Sequence, residues 1–464
     1  MAVVGRTHRP VVDRQRCQRC SVCERACPAE FLPDLRTDED TIRGYVYTNT
    51  DLVSREVLPP CVGACPIGQQ VRDYVQLLEA GKVKEALLVI RQDNPLPAVC
   101  GYVCHHPCEQ ACIGGSWDDP VSIRELKRYA VHYEMDHRDE ILEMLNERKQ
   151  PARGKKVVVV GAGPAGLACG FELVMHGYIV TIMDDLEQPG GMLRVGIPPF
   201  RLPRDVIDHD VGVIRSLGVQ FINSVRIGKG IPLETLKSEG ADAVILAVGA
   251  HKAVTLGIHG EGGEGYVDWL SFLQRTNTGQ NVELRGKTLV IGGGNVAIDV
   301  ARSALRVGAK VVEVLSLEKE EEMPADPLEV KKAKREGIKI RFQLVPIAVL
   351  KTNGRVKGLR CVPAHLGWDE LGRRTPMLVE GEPFEVEGDF IISAIGQRSE
   401  LSFLNAKSVS ERGTIALGKD GQVKGYEGVF AAGDAVSGPS TVVEAMASGK
   451  IVAQQVMSYL EGGA

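Results

Sequence analysis

The side chains best equipped for chemistry are cysteines crowded toward one end of the chain. Ten of the twelve lie between Cys17 and Cys112, and only Cys169 and Cys361 lie beyond. The run RQRCQRCSVCERACPAE spaces Cys17, Cys20, Cys23 and Cys27 by two, two and three residues, and Pro28 follows. Short loops of this kind let three thiolates grasp one iron–sulfur cubane, while the fourth, past a longer spacer, reaches another cluster. A structural zinc site more often uses two separated Cys-x2-Cys pairs or histidines. A secreted disulfide scaffold would be short and would spread its cysteines through the whole fold. Cluster ligation is therefore expected, with Cys61, Cys65, Cys100, Cys104, Cys108 and Cys112 as the remaining candidate ligands. Two [4Fe–4S] clusters with two spare thiols satisfy the count of ten, and so do three clusters with two non-cysteine ligands. His105 and His106 read as polar turn residues. Cys169 and Cys361 read as core residues, and neither forms a Cys-x2-Cys redox pair.

Two glycine-rich stretches offer a second chemistry. VVVVGAGPAGLA places Gly161, Gly163 and Gly166 in the G-x-G-x-x-G pattern. The first glycine makes the tight turn, the second admits a pyrophosphate against the backbone, and the third packs helix on strand. The following strand, YIVTIMD, ends at Asp184, where a carboxylate can bind ribose hydroxyls. VIGGGNVAIDVA repeats the design with Gly292, Gly294, Asn295 and Ala297, and its next strand, AKVVEVL, ends near Ser316. Two such turns predict two dinucleotides.

The elements that position these groups follow from periodicity. Residues 1–150 form the cysteine-rich region. Its segment from Val71 to Pro95 has apolar residues at helical spacing, and a second helix is expected from Ser122 to about Lys149. PARGKK, residues 151–156, is a polar linker. Beyond it each glycine turn sits in a strand–turn–helix unit that opens a doubly wound α/β domain. The 464 residues carry a net charge of −5 with mixed signs. No broad basic surface for nucleic acid is implied. No apolar run is long enough to span a membrane, and the N-terminus lacks a signal peptide, so a cytoplasmic protein is expected.

Several motifs carry a resemblance to known families. GVFAAGDAVSGPSTVVEAMASGK, residues 428–450, resembles the second flavin fingerprint of flavoproteins with two dinucleotide-binding domains. That likeness implies flavin contacts from Gly433 and Asp434 and a helix starting near Thr441. GGMLRVGIPPFRLPRDVI from Gly190, MPADPLEV from Met323, DFIISAIGQR from Asp389 and the cysteine stretch 61–112 resemble the glutamate synthase small subunit. The same module occurs in dihydropyrimidine dehydrogenase and in the large subunit of the bifurcating ferredoxin–NADP transhydrogenase. The resemblance covers roughly residues 58–464 and adds Gly191 and Arg194 as cofactor-binding candidates. It implies a mainly helical iron–sulfur domain (1–150) before two Rossmann-like domains of α/β class. The FAD domain would comprise 151–253 and 389–464, with an inserted NAD(P) domain at 254–388.

The family pattern is altered in three places. Relatives place a Cys-x2-Cys pair where this chain reads EVLPP, a glutamate or glutamine ligand at Lys127, and paired arginines at Leu317 and Glu318. Two ligands of one cluster site and one of the other are thus missing, and the N-terminal run, Cys100 or Glu125 are candidate replacements. Glu318 would repel a 2′-phosphate and accept from a free 2′-hydroxyl, so NADH is expected over NADPH. The function implied is an oxidoreductase subunit that moves electrons between NADH, FAD and [4Fe–4S] clusters. They pass on to ferredoxin or a larger catalytic subunit in a hetero-oligomer. An NADPH–glutamate synthase small subunit and a non-catalytic redox-sensing scaffold are the rival readings.

Overall fold

In the computed structural model the described residues are 3–4, 11–12, 59–116, 118–368, 374–379 and 381–462. Cys17, Cys20, Cys23 and Cys27 lie outside them. The chain divides into two units, one of Met1–Gln150 with Thr441–Ala447, the other of Pro151–Ser440 with Ser448–Ala464.

The first unit is helical where it is described in full. A single turn at Pro60–Gly63 precedes α1 (Val71–Glu79), α2 (Val83–Asp93) and α3 (Pro97–Val103). Another turn at Pro107–Gln110 leads to α4 (Ile123–Asp136) and α5 (Arg138–Glu147). Each of the two helical segments expected from sequence is thus a pair. Gly81 at φ +71° breaks the first, a conformation that a glycine adopts without strain. His137 at φ −125° and ψ 34° breaks the second. On α4 the buried stripe runs Ile123, Lys127, Ala130, Val131 and Glu134, at helical spacing but with two charges inside it. Glu134 is answered by Arg91 of α2, at 2.9 Å, with both side chains fully buried.

The second unit holds two five-stranded parallel sheets. The first is begun by β1 (Lys156–Val160), α6 (Pro164–Met175), β2 (Ile179–Met183), α7 (Arg204–Ser216), β3 (Gln220–Ile222) and β4 (Ala243–Leu246). The second contains β5 (Tyr266–Asp268), then α8 (Trp269–Asn277), β6 (Lys287–Ile291), α9 (Asn295–Arg306) and β7 (Val311–Leu315). It continues with α10 (Pro327–Arg335) and β8 (Lys339–Arg341). An antiparallel sheet follows: β9 (Leu344–Thr352), β10 (Arg355–Trp368), β11 (Arg374–Leu378) and β12 (Phe384–Glu387). Asn353 and Gly354, at φ +52° and +80°, form the two-residue turn between β9 and β10.

The chain then returns through β13 (Phe390–Ser393), and β14 (Val429–Ala431) completes the first sheet. Its order is β14-β4-β1-β2-β3, and that of the second is β8-β7-β6-β13-β5. The strands beside the glycine turns are near-continuous apolar runs, as parallel strands covered on both faces require. The last helix is α11 (Val442–Leu460).

One expected boundary moves. DFIISAIGQR is expected in the returning FAD-domain segment from residue 389, but β13 lies between β6 and β5 in the second sheet. The insert therefore extends past Ser393. Its entry and exit, Lys252–Ala253 and Gln397–Arg398, pair antiparallel with each other.

Candidate functional site

The two glycine turns are built alike. Gly161 stands at φ +110° and Gly292 at φ +137°, conformations that side chains rarely adopt. A Cβ on Gly161 would collide with the carbonyl oxygen of Ala247, and one on Gly292 with that of Ala394. Each first glycine is thus pressed against the end of a neighbouring strand. Each second glycine, Gly163 and Gly294, has nothing within 4 Å of a built Cβ and faces open space. Each is also the N-cap of its helix, with no side chain closing the first turn of α6 or α9. Open backbone N–H groups at a helix N-terminus suit a pyrophosphate. The third positions differ. A Cβ on Gly166 would fall on the Gly161 carbonyl, whereas Ala297 is accommodated and fully buried.

The acids expected at the strand ends are both present. Asp184 accepts from the N–H groups of Ala162 (2.5 Å) and Leu186 (2.8 Å), bracing the first turn. Burial raises its pKa, and those two amides pull it back. Each carboxylate oxygen has more than one lone pair, so accepting a ribose hydroxyl as well is compatible with this bracing. Glu318 accepts from Ser316 Oγ at 2.7 Å, and its carboxylate lies against Gly293, the middle residue of the second turn. Ser316 was not singled out from sequence, although a hydroxyl two residues before an acid at a strand end is the available signal. Asn295 Oδ1 accepts from Asp326 N–H at 2.8 Å, and Ala325 N–H donates to Gly293 O at 3.2 Å, so the MPADP segment closes on the turn.

The remaining flavin candidates divide. Gly191, at φ +52°, approaches Gly163 so closely that its Cβ would lie 2.9 Å from Gly163 Cα. Arg194 donates to Pro189 O (3.0 Å) and Asp208 (2.5 Å), holding the Gly190–Gly191 loop to α7. Gly433, at φ +70°, lies against Ala165 at the start of α6 and donates to Ser448 Oγ at 2.9 Å. Asp434 accepts from Ser440 N–H at 3.2 Å. Thr441 and Glu444 form a capping box: Thr441 N–H donates to Glu444 at 3.0 Å, and Glu444 N–H to Thr441 Oγ1 at 3.3 Å. Thr441→Ala should lower stability by about 1 kcal/mol, and Thr441→Ser should not. Thermal unfolding of the two variants tests this.

Outside these turns, Arg201 of the PPFRLP segment donates to buried Asp299 of α9 at 2.6 Å, and Arg302 and Arg306 stack on Phe200. Burial raises the Asp299 carboxyl to about 6 despite Arg201 beside it.

In the first unit Cys61, Cys65, Cys100, Cys104, Cys108 and Cys112 are all thiols rather than disulfides. Cys100 and Cys108 are buried, and the others half-buried. Among the described residues no three His, Cys, Asp or Glu side chains meet closely enough to hold one metal ion. Cys65, Cys100, Cys104 and Cys108 all interact electrostatically with one buried cation, Lys127. Burial raises the Cys108 thiol to about 12, with Lys127 acting in the opposite direction. His106 N–H donates to Cys104 Sγ at 3.4 Å from a left-handed backbone, φ +47°. Soft thiols with an amide donor and a cation close by fit an iron–sulfur cluster.

Among the described residues no helix is long and apolar enough to cross a membrane. Residues 155–449 match the family model of the pyridine nucleotide-disulphide oxidoreductases. Residues 56–139 match that of dihydropyrimidine dehydrogenase domain II, 4Fe–4S cluster. The NADP(+)-dependent formate dehydrogenase subunit beta of Moorella thermoacetica is 38% identical over 429 residues, 88% of this chain and 60% of that protein. The chain thus spans less than two thirds of that relative. The glutamate synthase [NADPH] small chain of Escherichia coli is 32% identical over 431 residues, 87% of this chain and 89% of that one. Among solved structures, Mycobacterium tuberculosis FprA in complex with NADPH shares the fold, with a TM-score of 0.58 at 20% identity. The match covers 67% of this chain and 86% of FprA.

Proposed function

The chain belongs to the pyridine nucleotide-disulphide oxidoreductases that carry the dihydropyrimidine dehydrogenase-type 4Fe–4S domain, together with the glutamate synthase small chain, and on that premise we propose that it is an electron-transfer flavoenzyme subunit. FAD is assigned to the first glycine turn, a nicotinamide nucleotide to the second, and [4Fe–4S] clusters to the cysteines of the first unit. A bound flavin supplies the exchange between hydride equivalents and single electrons. The observation that carries the reading is the matched pair of turns, each with its second glycine open and its helix uncapped. Gly161, Gly163, Gly166, Gly191 and Asp184 would hold the first dinucleotide, with Gly433 and Asp434 closing over it. Gly292, Gly294, Asn295 and Ala297 would hold the second. Arg194 acts through the loop it braces. The electrons would leave for ferredoxin or a larger partner subunit. Relatives named as a beta subunit and a small chain support a hetero-oligomer.

NADH is the proposed nucleotide, although the names of those relatives carry NADP. The support is Glu318, whose carboxylate beside Gly293 and Ser316 favours a free ribose hydroxyl over a phosphate. The 32% identity across 89% of a glutamate synthase small chain favours a second reading, in which the partner is a large amidotransferase subunit. Co-purification distinguishes the two partners.

Anaerobic titration of the holoprotein with NADH and then NADPH tests the proposal. Prompt bleaching of flavin and cluster absorption by NADH is the expected result. Glu318→Arg should move the NADH/NADPH preference at least tenfold toward NADPH. An unmoved preference removes Glu318 from the specificity argument. Absence of flavin reduction by either nucleotide leaves the scaffold reading.

A further inference from the structure

Lys127 is the unusual charge of the first unit. Its side chain is buried on the apolar stripe of α4, one turn beyond Ile123 and Arg124. Contacts on both sides fix its surroundings. Tyr74 Oη of α1 donates to Ile123 O at 3.3 Å. Arg124 Nη1 donates to Cys104 O at 3.2 Å. Gly101 of α3 approaches Arg128 so closely that its Cβ would lie 3.1 Å from Arg128 Cβ. The helices therefore cross where Cys100 and Lys127 immediately precede the touching residues. Cys100 and Cys104 are one helical turn apart, and Cys65 and Cys108 interact electrostatically with the same ammonium.

A buried ammonium is costly unless opposite charge answers it. No carboxylate is among the leading partners of Lys127, which are Tyr74 and the thiols of Cys100, Cys104 and Cys65. A cubane held by thiolates supplies the missing charge, because the assembly is net negative and gains one further negative charge when it takes up an electron.

We infer that Lys127 is the fixed counter-charge of a [4Fe–4S] cluster held by Cys65, Cys100, Cys104 and Cys108, and that it keeps this cluster easier to reduce than the thiolates alone would. The inference rests on the cluster assignment proposed above. It makes Lys127 a positioning charge rather than a ligand, and it recruits Cys100 as the fourth thiolate. The His106 N–H on Cys104 Sγ acts in the same direction, since both stabilise the more negative, reduced form.

The test uses full-length protein purified anaerobically, as wild type, Lys127→Leu, Lys127→Arg and Cys65→Ser. Leucine is chosen because glutamine would restore the ligand that relatives place at this position. Iron and acid-labile sulfide per chain are measured, with an electron paramagnetic resonance redox titration. Cys65→Ser should lose one cluster signal, and that signal identifies the cluster to follow. Lys127→Arg should keep its iron and its midpoint potential near the wild-type value. Lys127→Leu should either retain the iron and shift that midpoint to a more negative potential, or lose that cluster alone while Lys127→Arg keeps it. Retained iron with an unmoved midpoint in Lys127→Leu overturns the inference. So does loss of the cluster from both Lys127 variants, which would make the amine a ligand. Wild-type protein without any [4Fe–4S] signal would instead overturn the cluster assignment itself.

Discussion

Gly292→Ala should slow reduction by nicotinamide nucleotides about a hundredfold while leaving the flavin content of the chain unchanged. The new methyl group has no room, because the Ala394 carbonyl at the end of β13 already occupies its place. The backbone at φ +137° is also one that alanine rarely adopts. Relieving both strains means moving the turn off the N-terminus of α9, where the pyrophosphate would sit. A displacement costing about 3 kcal/mol corresponds to a loss of roughly a hundredfold in the rate of nucleotide-driven reduction. The first turn belongs to a different sheet, so flavin absorbance per chain should match the wild type, and dithionite should still reduce it. Full-rate reduction by NADH in this variant would show that the second turn is not the hydride entry. Gly294→Ala is the informative companion. Its Cβ meets nothing in the protein, so any loss there reports on a bound nucleotide rather than on the fold.

Arg91→Met should unfold the helical unit or come close to it. Arg91 donates through Nε to Glu134 Oε1 at 3.0 Å and through Nη1 to Pro95 O at 2.8 Å. Both charged side chains are withdrawn from water. Removing the guanidinium breaks a buried ion pair from one side, at a cost of about 3–5 kcal/mol. The expected readouts are a depressed midpoint of thermal unfolding and loss of bound iron. Arg91→Met combined with Glu134→Leu removes both charges together and should recover most of the stability. If the double variant is no better than the single one, the pair is not the cause.

The parts of this molecule that were legible in the sequence are those where physics leaves few solutions. A first glycine under a carbonyl and a second facing open space impose one spacing, and both turns show it. The strand-end acids were equally plain, since Asp184 and Glu318 stand where a second parallel strand must finish. Arg194 is read from sequence as a cofactor-binding candidate, and only the structure shows that Pro189 O and Asp208 take two of its donors. The split helices hinged on single residues, Gly81 and His137, inside otherwise helical patterns. The antiparallel sheet of β9–β12 was overlooked although Asn353-Gly354 between two β-rich runs is a strong hairpin signal. Strand β13 was placed with the wrong sheet because strand order depends on contacts distant in sequence. Lys127 was legible only as a missing ligand, and its electrostatic partnership with Cys100 and Cys104 required the crossing of α3 and α4.

The ribbon formed by Lys252–Ala253 and Gln397–Arg398 also bears on the order in which the chain can assemble. Pairing of β4 with β14 closes a very long loop, and such closures are slow because chain entropy is lost before any contact is gained. Once the intervening residues have compacted, their two ends lie at strand spacing from each other. The first sheet then meets that loop as though it were a short hairpin, so the second sheet should gain hydrogen-exchange protection first during refolding and β14 should dock last.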